Sequence, residues 1–173
     1  MRPASRARPE PARDRLLVVD PASHQRREAT IGELTQFLRA GDLLVVNDAA
    51  TLPASLSGQT ASGEHLEARL AGGDEREWLA VLFGPGSWRE KTEERAAPPR
   101  VGRGERLLFG PGLTATVVRT SALSPRLVWL AFEGPAFWES LYLYGKPIQY
   151  SYLETDVSLS DVQTPYAGRR WAF

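Results

Sequence analysis

"GERLLFGPGLTATVV", residues Gly104–Val118, decides how this chain is to be read. Two strand-length segments, "ERLLFG" and "LTATVV", flank Pro111 and Gly112. Pro-Gly suits the two central positions of a type II turn. No Gly-Lys-Ser/Thr follows, so a phosphate-cradling loop is the poorer reading of these glycines. The same tetrapeptide, "FGPG", stands at Phe83–Gly86 and again at Phe109–Gly112. Upstream, "HLEARL" alternates, with Leu66, Ala68 and Leu70 on one face and His65, Glu67 and Arg69 on the other. "EWLAVLF" and "RLVWLAF" are further segments rich in β-branched or aromatic residues. Short strands separated by turn signals predict a small antiparallel β-barrel or sandwich over residues 55–132. "REKTEERAAPPRVGRG", Arg89 to Gly104, reads as an exposed loop within it.

Outward from the barrel the texture changes. "RLLVVD" (Arg15 to Asp20) is a continuous apolar run, consistent with a buried strand, and "REATI" either pairs with it or leads onward. Thr30 and Glu33 have capping-box spacing. Ile31, Leu34, Phe37 and Leu38 recur at helical intervals, and Gly41 stands where a C-terminal cap belongs. A second apolar run, "LLVVND" (Leu43 to Asp48), follows at once. Strand, helix, buried strand predicts an α/β layer. After the barrel, "EGPAFWESLYLYG" reads as a helix opened by Pro135 and ended by Gly145. The expected fold class is therefore α/β with an inserted small antiparallel β-barrel. Residues 1–14 form a mobile N-terminal arm, residues 15–54 and 133–173 the main part, and residues 55–132 the insert.

Composition removes several function classes. The chain has 173 residues and no cysteine, so thiolate metal sites, disulfides and cysteine nucleophiles are excluded. His24 and His65 are the only histidines and lie far apart in sequence, so no multi-histidine metal site is expected. Lys plus Arg equals Asp plus Glu at 21 each, which argues against a strongly basic nucleic-acid sleeve. No apolar run approaches membrane-spanning length, and "MRPASRARPEPARDR" lacks the apolar stretch of a secretory signal. The expectation is a cytoplasmic protein with no membrane partner and no metal.

Few residues have the look of chemistry. Asn47, the only asparagine, stands with Asp48 directly after an apolar run. Strand ends in α/β sheets are where ligands commonly bind, but an Asx-type turn accounts equally well for this pair. "QTPY" offers the amide of Gln163, the hydroxyl of Thr164 and the phenol of Tyr166 close together. Such groups either fix a polar ligand or satisfy backbone groups in a turn. Aromatic residues crowd the stretch from Trp129 to Trp171, including Tyr150 and Tyr152. Aromatic faces stack nucleobases and, more often, fill cores.

Four stretches together resemble one family. "GDLLVVNDAATLPASLSG" resembles the "GDLLV-N-[DN]-T-x-V-x-P-A-R-L-x-G" segment of the S-adenosylmethionine:tRNA ribosyltransferase-isomerases, the QueA-like enzymes of queuosine synthesis. "GERLLFGPGLTATVV" is similar to their barrel strands. "YGKPIQYSYL" and "DVQTPYAG" resemble their "G-x-x-P-L-P-P-Y-I" and "Y-Q-T-V-Y-A" segments, in the same order. The resemblance runs from about Arg13 to the end. It departs at Ala49, Ala50 and Ser55, where the pattern carries Thr-Arg and a further Arg, and within "PIQYS".

The resemblance implies a partial α/β barrel-like main domain carrying the small β-barrel. It implies transfer of the ribosyl group of S-adenosylmethionine onto a 7-aminomethyl-7-deazaguanine base in tRNA. That group is isomerised to an epoxycyclopentanediol, and adenine and methionine are released. S-adenosylmethionine is then a co-substrate, with no permanently bound cofactor and no metal, and tRNA is the partner. Asn47, Asp48, Gln163, Thr164 and Tyr166 fall in motif positions or at strand ends and are the expected substrate contacts; no catalytic residue is assigned. The family pattern continues beyond "Y-Q-T-V-Y-A", so the expectation is an N-terminal half, inactive alone. Two alternatives stand beside it: a non-catalytic β-barrel that binds nucleic acid, and a divergent paralogue acting on a smaller nucleoside-like substrate.

Overall fold

The computed structural model describes residue 5, residues 10–74 and 76–164, and residue 167. Two strands, β1 (Arg15–Asp20) and β2 (Gln25–Thr30), form an antiparallel hairpin. At its turn the Asp20 carboxylate accepts hydrogen bonds from the Ser23 hydroxyl at 2.6 Å and the Ala22 amide at 2.9 Å. Those bonds hold the Asp20 carboxyl below its ordinary range. The Thr30–Glu33 capping box is present: Glu33 Oε2 accepts from the Thr30 amide at 2.8 Å and its hydroxyl at 3.0 Å. What it starts is a 3-10 turn, Ile31–Gln36, rather than an α-helix. Gly32 and Thr35, both poor helix formers, lie inside the stretch.

Six strands close into the barrel: β3 (Ser55–Thr60), β4 (His65–Gly73), β5 (Trp78–Phe83), β6 (Arg106–Gly110), β7 (Leu113–Thr120) and β8 (Leu127–Glu133). Their order around the barrel is β3-β4-β5-β8-β7-β6, every pairing antiparallel. Two three-stranded meanders thus meet at two seams, β5 against β8 and β6 against β3. Closure pairs the two outer strands of the meanders at both seams, β3 with β6 through Gln59–Leu108 and Thr60–Leu107. Alternation supplies the core: Leu56, Ala68, Ala80, Leu82, Leu107, Leu113, Ala115, Val117, Val128 and Leu130 are wholly buried. Each large one contributes roughly 1.5–3 kcal/mol through burial. At the β3–β6 seam the barrel is tight. A Cβ on Gly58 would sit 2.5 Å from both the Leu108 carbonyl oxygen and the Phe109 ring. The β6–β7 hairpin turns at Pro111-Gly112, with Gly112 at φ 77°, a conformation that favours glycine.

A helix, α1 (Phe137–Tyr144), packs across the barrel. Leu141 is fully buried, and the Phe137 ring lies 4.7 Å from Phe132 and 5.5 Å from Trp78, centroid to centroid. The Gly145 amide donates to the Leu141 carbonyl, and Lys146 exchanges two 2.9 Å backbone hydrogen bonds with Ser55. A single turn, α2 (Leu159–Val162), follows with its own capping box, Ser158 to Asp161.

The regions outside the barrel correct two expectations. "LLVVND" does not form a buried strand. Leu43 and Val45 are 87% and 82% exposed, and residues 43–46 make no backbone hydrogen bond among the described residues. "RLLVVD" is a strand, but Leu17 and Val19 are exposed because β2 covers an edge and not a face. The reason is shared: both runs are apolar on two sides, and the described residues supply no second layer. A third correction falls within the barrel domain. The segment Arg89 to Gly104 is not uniformly exposed, because Arg95 is buried.

Candidate functional site

The expected contact residues converge from two distant parts of the chain. The Thr51 amide donates to Gln163 Oε1 at 3.0 Å, and the Thr51 hydroxyl donates to the Val162 carbonyl at 3.2 Å. The Thr164 hydroxyl donates to the Asn47 carbonyl at 3.2 Å. Asn47 Oδ1 accepts from the Ala49 amide at 3.0 Å, which is the Asx-type turn. Gln163 and Thr164 are half-buried, Asp48 half-buried beside them, and Asn47 exposed. Tyr166 lies outside the described residues. Asn47, Gln163 and Thr164 are therefore brought together, though by hydrogen bonds they make with the chain itself.

This junction borders a cavity of about 250 Å³ lined by Asn47, Ala49 to Leu52, Ala54, Leu70, Ala71 and Trp78. None of these residues titrates. The cavity suits holding a ligand by shape and backbone groups, and offers no general acid or base. Among the described residues no group of three or more His, Cys, Asp or Glu side chains is placed to hold a metal ion. No helix among them is long and apolar enough to cross a membrane.

The strongest electrostatics lie on the barrel's outer face, where the sequence reading placed no site residue. Glu67 on β4 accepts from Arg69 Nε at 2.7 Å, from the Ser55 hydroxyl at 2.8 Å and from Arg95 at 2.7 Å. Burial alone would raise the Glu67 carboxyl, but the two guanidinium groups and the hydroxyl outweigh it and hold it below its ordinary value. Arg95 also donates to the Gly84 carbonyl at 2.8 Å. The guanidinium groups of Arg69, Arg95 and Arg126 lie 4.6, 5.4 and 5.6 Å from the Phe83 ring centroid. Arg95 Nε and Arg126 Nη1 are buried without a hydrogen-bond partner among the described residues. The ring face compensates part of that cost. The "HLEARL" alternation signalled Glu67 and Arg69 on one face. Nothing local signalled Arg95, which reaches Glu67 only through the excursion between β5 and β6.

This cluster bounds a groove of about 750 Å³ lined by residues of β3, β4 and β6 together with Gly84–Gly86 and Arg95. The groove and the Asn47 junction share no lining residue.

The family model described as "Queuosine biosynthesis protein" matches residues 2–172. The chain belongs to that family. A Rhizobium johnstonii protein named S-adenosylmethionine:tRNA ribosyltransferase-isomerase is 31% identical, covering 92% of this chain and 46% of the relative. One of the same name from Gloeobacter violaceus is 37% identical, covering 73% of this chain and 32% of the relative. This queuosine biosynthesis family member thus spans about half the length of the curated relatives it matches. A crystal structure of S-adenosylmethionine tRNA ribosyltransferase from Thermotoga maritima aligns over 82% of this chain and 44% of that one, with 20% identity and a TM-score of 0.38. Of the positions where this family member departs from the arginine-bearing pattern, Ala49 and Ala50 line the small cavity, and Ser55 is spent on Glu67.

Proposed function

We propose that this chain is the barrel-bearing half of an S-adenosylmethionine:tRNA ribosyltransferase-isomerase. In this reading S-adenosylmethionine is the ribosyl donor and tRNA the partner. Residues 15–54 and 133–173 join a partial α/β barrel-like main domain, completed by polypeptide corresponding to the rest of the relatives' length. Asn47, Asp48, Gln163, Thr164 and Tyr166 contact substrate once that domain is assembled. The observation that carries the reading is the family match across nearly the whole chain. The bare apolar segment Leu43–Val46, immediately before Asn47, supports it. An extended run that is apolar on both sides and unpaired by backbone is what a central strand of a covered sheet looks like before its neighbours are added.

The cavity beside Asn47 favours a second acceptor. With Ala49 and Ala50 in place of Thr-Arg it carries no cation, and it suits a smaller nucleoside-like substrate better than a polyanion. One assay separates these readings. Adenine release from S-adenosylmethionine is followed with 7-aminomethyl-7-deazaguanine-containing tRNA or with the free nucleoside as acceptor. The chain is tested alone and after co-expression with the remaining part of a relative. The expected result is no release from the chain alone and release from the co-purified pair. A stable pair that releases adenine with neither acceptor refutes the proposal.

A further inference from the structure

A second cavity lies away from the Asn47 junction. It has a volume of about 220 Å³ and is lined by Arg69, Trp88, residues 90–93 and residues 149–152. That volume accommodates one flat ring system. Tyr150 and Tyr152 stack on each other with centroids 5.7 Å apart and planes 6° from parallel. Both remain about half exposed, at 49% and 48%, so neither is spent on the core. The half-buried Trp88 carries Arg89 over its ring at 4.4 Å.

The polar groups here are oriented by two adjacent residues. Asp156 accepts a 2.6 Å hydrogen bond from Trp88 Nε1, which fixes the indole. The Val157 amide donates to Gln149 Oε1 at 3.0 Å, which fixes the side-chain amide, because an N–H can only donate to the oxygen. Gln149 is 5% exposed, and its Nε2 makes no hydrogen bond among the described residues. The side chain is buried but its Nε2 keeps contact with solvent, so beside the exposed stacked rings it is a donor open to an acceptor on a ligand. It is also held rigidly before any ligand arrives, which lowers the cost of binding.

We infer that this cavity binds a nucleobase, stacked on the Tyr150–Tyr152 pair, with Gln149 Nε2 donating to an acceptor on the ring edge. Stacking is tolerant of base identity, because every base has a π face; the amide adds a requirement for a ring nitrogen or carbonyl oxygen. The site itself stands on this geometry. The choice of a nucleobase over other flat rings rests on the function proposed above. A base within an RNA strand and the base of a free nucleoside present the same chemistry, and the experiment distinguishes them.

The test uses the full chain, labelled with ¹⁵N, titrated with adenosine in one arm and single-stranded hexaadenylate RNA in the other. The Trp88 indole N–H and the Gln149 side-chain NH₂ resonances are followed. Saturable shifts of both are expected in at least one arm. Shifts with RNA alone place the base within a strand; shifts with adenosine admit free nucleosides. Tyr150→Leu should weaken binding about tenfold while Tyr150→Phe binds like the parent. Tyr150 is exposed, so neither substitution threatens folding. Absence of saturable shifts in both arms overturns the inference, as does a Tyr150→Leu chain that binds unchanged. The readout does not depend on catalysis. Adenine release by the co-purified pair with no base binding here sinks this site alone, and base binding without adenine release sinks only the function proposed above.

Discussion

Replacing Glu67 by Gln probes the charged cluster on β4 with almost no change of shape. The carboxylate serves three donors: Arg69, Ser55 and Arg95. The Arg95 side chain is 1% exposed, so its charge has nowhere to go when the carboxylate is lost. Breaking one side of a buried pair costs about 3–5 kcal/mol. The lower end applies here, because the Gly84 carbonyl and the Phe83 ring still hold Arg95. The expected loss is about 3 kcal/mol, a large share of the 5–15 kcal/mol typical of a domain. It should appear in urea unfolding followed by tryptophan emission, and as a fall in melting temperature of about 9 °C. Arg95→Met removes the stranded cation. The double variant should therefore lose at least about 1.5 kcal/mol less than the two single losses summed. Acid sensitivity carries the same information. The folded Glu67 carboxyl lies below its ordinary 4.5, so its contribution is full above that pH and is lost as pH falls through the depressed folded value. Glu67→Gln should flatten that part of the stability–pH curve and leave the neutral region level. A loss under about 1 kcal/mol for Glu67→Gln, or additivity with Arg95→Met within about 0.5 kcal/mol, refutes the assignment of this cluster as a buried ionic clamp.

Other regions have their own tests. Gly58→Ala drives a methyl group into the Leu108 carbonyl and the Phe109 ring and should cost about 1–3 kcal/mol in urea unfolding; a parental midpoint would mean the β3–β6 seam is looser than described. Leu43→Asp combined with Val45→Asp should leave the unfolding midpoint within about 0.5 kcal/mol while lowering self-association in sedimentation velocity, and a clear destabilisation would show that the segment is covered after all. Hydrogen exchange should find the amides of β3 to β8 protected to the level of global unfolding and those of residues 43–46 exchanging nearly freely; equal protection would refute the division.

The barrel was legible because its code is local and redundant. Alternation in "HLEARL" and "LTATVV" names the inward face residue by residue, and Pro111-Gly112 names the turn between partners. Each strand's partners also lie within the same segment, so pattern and packing agree. The helix from Phe137 was legible for a related reason: its apolar positions match the period of a helix, and Gly145 marks its end. The ionic clamp was only half legible. Glu67 and Arg69 sit two residues apart on a strand, but Arg95 reaches them through an irregular excursion, and charge in such a stretch ordinarily means solvent exposure. In the sequence, Asn47 follows an apolar run and Gln163 and Thr164 stand at motif positions. Their meeting depends on long-range contacts across more than a hundred positions, which no local pattern encodes.

At Leu43–Val46 the sequence pattern and the structure part for a different reason. An apolar run records that a segment is destined for burial; it does not record what buries it. In the barrel the same kind of run finds its cover in neighbouring strands, and prediction and structure coincide. At residues 43–46 the described residues offer neither a pairing strand nor a covering face, so an identical signal leaves four large side chains in water. Leu44 and Val46 are already about half covered, so burying the four is worth roughly 4–8 kcal/mol, comparable with a small domain's whole stability. The proposed function requires that something cover this run. The half of the relatives' length that this chain does not span is the cover that the proposed function supplies. The same reasoning separates the two cavities. The one beside Asn47 sits next to that uncovered segment, and in the proposed function it is completed by that cover. The one at Gln149 is walled by the barrel's own excursion and the segment after α1, and so is ready to bind in the chain as it stands.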